Sequence, residues 1–208
     1  MGLWLRRALA LAIAGVVIGP PFLLYRAQYA TSKRLREVTA GRFYRSGQMN
    51  AAGFRDAIER FKIKTVLNLQ HENGFQDPHL PARWLGAPVI YESELCRQLN
   101  VRYVLMTPDI LPTPNDLTKE PPAVTEFLKL LDDESAYPIL IHCKAGLHRT
   151  GRLTAIYRMD KEGWDVGDAL RELRANGYGY TAASESDDFI IQFVQNFKPR
   201  RARTAGAQ

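Results

Sequence analysis

The sequence predicts an α/β fold: one domain with a central, mainly parallel sheet flanked by helices, preceded by one N-terminal transmembrane helix. Three observations lead there. From about residue 41 onward, short β-rich apolar runs alternate with segments whose apolar residues recur at helical spacing. One of those runs, PILIHC (138–143), lacks the polar alternation of a half-exposed strand and reads as a central strand buried on both faces. Ahead of the domain, ALALAIAGVVIGPPFLLY (8–25) is uncharged over eighteen residues. As a helix it measures about 27 Å, just enough to cross a hydrocarbon core.

The elements follow in order. GRFYRSGQ (41–48) reads as a strand and turn, and Phe54, Ala57, Ile58 and Phe61 mark a helix over 50–61. TVLNLQ (65–70) is a β-branched strand, whereas the Pro- and Gly-containing stretch 71–90 is expected to be irregular. SELCRQLN reads as helical, VRYVLM (101–106) as a strand, and TPDILPTPND (107–116), with three prolines, as a loop. Val124, Phe127, Leu128 and Leu131 define the next helix. After PILIHC and a loop, a helix is expected from about Thr150, carrying Leu153, Ile156 and Tyr157. In WDVGDALRELRANG (164–177), Asp165 is the N-cap, and Asn176-Gly177 ends the helix. Phe189, Ile190, Phe193, Val194 and Phe197 mark a last packed helix.

The net charge of +6 belongs to the ends. Residues 1–40 carry +5, residues 198–208 carry +4, and the body 41–197 carries −3. This distribution speaks of a membrane surface and solvated tails, and no nucleic-acid partner is expected. The expected organisation is a membrane anchor with a basic linker (1–40), the catalytic domain (41–197) and a basic tail (198–208). The apolar run is read as a retained single-pass anchor; a cleaved signal peptide is the alternative, although AQYA (27–30) offers no small-x-small site. Basic residues flank it on both sides, with a slight lean toward a cytoplasmic body. Cys96 and Cys143 are too few to imply a disulfide framework, and the histidines have no metal-ligand spacing with them. No metal or cofactor is expected.

Chemistry concentrates in HCKAGLHRTG (142–151), at the turn from a buried strand to a helix. Helix N-termini present unpaired N–H groups and a positive dipole end, and such turns form anion-binding nests. Ala145 and Gly146 keep side chains out of the concavity, so a phosphate can approach the backbone of Lys144, Ala145, Gly146, Leu147 and His148. A thiol at Cys143 would be stabilised there as the thiolate. Arg149 adds a planar fork that grips two phosphate oxygens, best in the transition state. The pattern describes nucleophilic attack on phosphorus through a cysteinyl-phosphate, with Thr150 able to donate its hydroxyl to the departing sulfur. CRQLNVR (96–102) has the same Cys-to-Arg spacing but no glycine, and Leu99 and Val101 are too bulky for a nest. Cys96 is therefore read as an ordinary structural thiol.

HCKAGLHRTG resembles the signature loop of the protein tyrosine phosphatase superfamily, His-Cys-x5-Arg-Ser/Thr-Gly, at His142, Cys143, Arg149, Thr150 and Gly151. FYRSGQ (43–48) and KTVLNLQ (64–70) are similar to the opening of its compact dual-specificity members. The resemblance covers roughly 41–197 and implies a general acid on a loop before the nucleophile. Asp109, in TPDILPTP, lies 34 residues before Cys143, and its loop resembles the family's Trp-Pro-Asp loop with Thr107 in the Trp position. Asp116 is the runner-up. The expected substrate is a phosphorylated protein, chiefly phosphotyrosine. KAG after the nucleophile also resembles the inositol-lipid phosphatases, so an inositol phosphate or phospholipid substrate is the alternative, with Leu147 standing where those enzymes carry a second lysine. A silent phosphate-binding module is the third reading. Tyr178 and Tyr180 are candidates to wall the pocket or, more simply, to pack the core.

Overall fold

The computed structural model describes residues 2–72, 74–76, 89–106, 120–178 and 185–200. In chain order the strands are β1 (Arg36–Thr39), β2 (Phe43–Gly47), β3 (Thr65–Asn68), β4 (Gly74–Gln76), β5 (Val89–Tyr91), β6 (Arg102–Leu105) and β7 (Ile139–Cys143). The helices are α1 (Leu3–Thr31), α2 (Ala51–Phe61), α3 (Glu92–Gln98), α4 (Pro122–Asp132), α5 (His148–Lys161), α6 (Val166–Ala175) and α7 (Glu185–Asn196). The main sheet runs β1-β2-β7-β3-β6. β7 pairs parallel with both β2 and β3, β3 pairs parallel with β6, and β1 closes one edge antiparallel to β2. ILIHC (139–143) is thus the central strand, buried throughout.

Two features depart from the expectation. The stretch 71–90 contributes to two strands, since β4 and β5 pair antiparallel as a separate two-stranded sheet. The sheet also takes in β1, upstream of residue 41: the alternation there is too short, and its burial too slight, to signal a strand. Other elements fall where the periodicity puts them, including the Asp165 cap, which accepts from the Asp168 amide at 2.8 Å.

The period of a strand places the site. Ile139, Ile141 and Cys143 face the layer built by α4 and α5, packed with Phe43, Phe127, Ile156 and Tyr157. Leu140 faces the opposite layer with Tyr44 of β2 and with Phe54, Ile58, Leu95 and Cys96 from α2 and α3. His142 shares that side, its ring 5.1 Å from the Phe54 ring. Adjacent residues of one strand therefore have different jobs, His142 in the core and Cys143 under the loop. On the first face Phe43 stacks on Tyr157 at 4.2 Å. Each fully buried side chain of this size stabilises the fold by about 1.5–3 kcal/mol. A third cluster joins Ala155 and Met159 of α5 to Ala169, Leu170 and Leu173 of α6 and Val194 of α7.

α1 extends the apolar run 8–25 at both ends, passes through Pro20 and Pro21, and leaves its large apolar side chains exposed. It is long and apolar enough to cross a membrane, a test that an N-terminal signal sequence also passes. Its last turn packs on α2, where a Cβ at Gly53 would lie 1.9 Å from the Thr31 carbonyl oxygen.

Candidate active site

β7 ends at Cys143, which pairs in register with Gly47 of β2. The chain then turns through Lys144, Ala145, Gly146 and Leu147 into α5, which begins at His148, two residues earlier than expected. Arg149 and Thr150 therefore lie in the first turn. α2 and α6 are closed by the side chains of Asn50 and Asp165, whereas Leu147 offers α5 no side-chain cap. The first-turn amides of α5 have no intrahelical acceptor, which is what an anion site requires.

The Gly146 amide turns toward the nucleophile candidate, donating to Cys143 Sγ at 3.3 Å. The opposite, carbonyl side of the loop is taken up by outside donors. The Gln48 amide bonds the Lys144 oxygen at 3.2 Å, Arg34 Nη1 the Ala145 oxygen at 2.8 Å, and Arg45 Nη2 the Gly146 oxygen at 2.8 Å. With carbonyls held outward, planar peptides must direct their N–H groups to the other side. Gly146 has φ 72°, and a Cβ there would lie 2.5 Å from the Gly47 nitrogen. Its missing side chain thus serves close approach to β2 rather than room for phosphate, which differs from the reason the sequence suggests.

A cleft of about 360 Å³ opens over the loop, lined by Gln70, His71, Cys143, Lys144, Ala145, His148 and Arg149. Arg149, part of that lining, is steadied by a bond from Nη1 to the Leu69 carbonyl at 3.0 Å. Lys144 is exposed at the rim, and the His148 ring stands edge-on to Tyr178 at 5.5 Å. Tyr178 is buried with the α5–α6–α7 cluster, so core packing is its main role. Leu147 is also buried and does not line the cleft. The Thr150 hydroxyl is buried with no hydrogen-bond partner among the described residues. Asp109, Asp116 and Tyr180 lie outside the described residues.

Behind the loop sits Arg45, 3% exposed. Burial pushes its guanidinium down to about 10, while the carboxylate of Glu172 pulls it back up. A second buried guanidinium, Arg152, lies over the Phe193 ring at 5.0 Å and is lowered to about 9 by burial, then by Arg149. Beneath the strand end, His142 Nε2 meets Glu92 Oε1 at 2.6 Å, both residues essentially sealed from solvent. Gln48 Nε2 reaches the other Glu92 oxygen at 3.3 Å, and Gln70 in turn bonds Gln48. Cys96 is a different kind of thiol. It is fully buried, and burial first, then Glu92 and Glu72, push it up to about 12. A thiol so placed is inert at neutral pH.

A sequence model of the tyrosine phosphatase family matches residues 34–206. The chain belongs to the tyrosine phosphatase family. As a tyrosine phosphatase, it is an enzyme of cysteine-based phosphomonoester hydrolysis, and the resemblance read from the signature loop agrees. It is similar to the dual specificity protein phosphatase TpbA of Pseudomonas aeruginosa, 29% identical over 188 residues, covering 85% of this chain and 74% of that protein. Among solved structures it is similar to TpbA in complex with pTyr, at TM-score 0.57 and 24% identity, covering 84% of this chain and 91% of that one. The core catalytic domain of the PP-IP phosphatase SIW14 from S. cerevisiae, in complex with citrate, has TM-score 0.57 at 19% identity, covering 85% and 92%. At these identities the structures speak to the fold.

Several members of the site escape a reading of the sequence alone. Gln70 and His71 follow the carboxyl end of β3, the place where open α/β sheets bind ligands, and that rule could have found them. Arg34, Arg45 and Glu92 carry no local signal. Each reaches the signature loop or its strand from a distant part of the chain.

Proposed function

We propose that this tyrosine phosphatase hydrolyses phosphotyrosine on proteins from a membrane-anchored position. The single observation that carries the assignment is the Gly146 amide on Cys143 Sγ at 3.3 Å, in a cleft that Arg149 also lines. In this reading Sγ attacks phosphorus and the ester P–O bond breaks, with Asp109 giving its proton to the leaving oxygen. Asp109 then takes a proton from water as the water attacks the cysteinyl-phosphate. Sulfur departs, aided by the unspent hydroxyl of Thr150, and inorganic phosphate is released. Arg149 and the loop amides hold the equatorial oxygens, where charge is spread in the transition state. Anchoring through 8–25 is supported by the exposed apolar surface of α1.

A second substrate class is favoured by one specific feature. Lys144, His71 and His148 ring the same cleft and would suit several phosphates on one ligand, as in an inositol phosphate or its lipid. The test offers the full-length protein in detergent a phosphotyrosine peptide and an inositol polyphosphate. The proposal expects higher kcat/KM on the peptide; the reverse order transfers the site to the second class. Asp109→Ala should lower kcat about a hundredfold on a poor leaving group and far less on an activated aryl phosphate. The same signature from Asp116→Ala instead would reassign the acid.

A further inference from the structure

Two of the three donors on the carbonyl side of the signature loop come from β2 and the residue after it. The third, Arg34, comes from the turn that follows α1. That turn is fastened on both sides. The Asn50 amide bonds the Ala30 carbonyl at 2.9 Å, and the Gly47 amide bonds the Lys33 carbonyl at 2.7 Å. Two glycines make the close approach possible. Besides Gly53 against Thr31, a Cβ at Gly47 would lie 2.9 Å from Cγ and Cδ of Lys33 and 3.0 Å from the Ala145 oxygen. Arg34 itself has φ 52°, the left-handed region that a non-glycine residue adopts only when its surroundings impose it. On the far side Tyr29, in the last turn of α1, lies beside the pair: the Arg34 guanidinium is 5.9 Å from its ring and Lys33 Nζ is 5.4 Å away.

The bond that Arg34 makes has a chemical consequence. The Ala145 carbonyl and the Gly146 amide are the two ends of one trans peptide, so they point in opposite directions. Arg34 Nη1 holds the carbonyl outward at 2.8 Å, and the amide at the other end donates to Cys143 Sγ at 3.3 Å.

We propose that Arg34 is a positioning residue for the phosphatase reaction: it sets the Ala145–Gly146 peptide so that its amide faces the reacting sulfur and the bound oxyanion. The foot of the N-terminal helix is then part of the active site, and a fragment beginning at residue 37 lacks it. The proposal rests on the phosphatase reading of the loop and adds a residue from outside the signature.

The test uses the full-length protein in detergent and reads inhibition by vanadate, a mimic of the phosphorane, beside the thermal midpoint. Arg34→Ala should weaken vanadate inhibition about tenfold, the scale of a lost charge-assisted hydrogen bond. Arg34→Gly removes the same bond while freeing the left-handed backbone, so vanadate weakens as much although the thermal midpoint holds or rises. Arg34→Lys, which can still donate to the carbonyl, should recover most of the affinity. Arg36→Ala removes an equal charge from an exposed side chain bonded to Asn176, and should leave inhibition unchanged. Parent-like inhibition in Arg34→Gly would overturn the proposal, as would a loss that merely follows thermal stability across the series. A parent protein insensitive to vanadate would overturn the phosphatase reading beneath it.

Discussion

Replacing Glu92 by leucine should destabilise the protein far more than replacing it by glutamine, although both remove the same charge. His142 Nε2 lies 2.6 Å from Glu92 Oε1, with side-chain exposures of 0% and 1%. A carboxylate only accepts, so Nε2 carries the hydrogen of this contact, and Nδ1 has no partner among the described residues. Leucine leaves the buried Nε2–H without an acceptor and also removes one of the partners of Gln48, the Glu92 oxygen at 3.3 Å. Orphaning a buried member of such a pair costs about 3 kcal/mol. Glutamine keeps the acceptor for His142 and loses only the longer contact to Gln48, about 1 kcal/mol. For a chain of this size the two variants should melt roughly 6–12 °C and 2–4 °C below the parent. The assay is thermal unfolding of the full-length protein in detergent at pH 7, followed by near-UV circular dichroism. If Glu92→Leu is as stable as Glu92→Gln, the pair does not hold the end of β7 and the reasoning fails.

A further prediction concerns pH. Arg200 bonds both Asp132 and the buried Asp160. The Arg200 bond, followed by Lys161, holds the Asp132 carboxyl down at about 2; at Asp160 burial pushes upward and Arg200 outweighs it, for a net lowering. A depressed carboxyl contributes its stability above the unfolded value near 3.9 and loses it as pH falls through the folded one. Arg200→Ala should therefore cost about 2 kcal/mol at pH 7, and the gap from the parent should close between about pH 4 and pH 2. Urea midpoints at pH 7, 5 and 3 check this; a gap that stays constant to pH 3 would contradict it.

The legibility of this chain followed sequence distance. PILIHC could be placed at the centre of the sheet because an uninterrupted apolar run has no solvent face to offer. The HCKAGLHRTG turn could be assigned chemistry because the nucleophile, nest and guanidinium lie within seven residues of one another. Asp165 declared its helix end through a local bond. By contrast, β1 is a short edge strand whose register comes entirely from β2, and nothing in its own four residues announces that. Glu92 and Arg34 look like surface charges in sequence. Folding brings Glu92 to His142 across 50 positions and Arg34 to Ala145 across 111. The sequence suggests that Gly146 keeps the phosphate concavity open, yet the steric demand comes from Ser46 and Gly47, which only the folded sheet places beside it.

The central claim is that Cys143, and not Cys96, attacks phosphorus. Phosphate release from a small aryl phosphate by the full-length protein in detergent, under reducing conditions and without added metal, tests it most directly. The parent and Cys96→Ser should turn over alike, whereas Cys143→Ser should fall by at least about 10³-fold, as loss of a nucleophile demands. Turnover surviving in Cys143→Ser, or lost equally in both variants, would contradict the account.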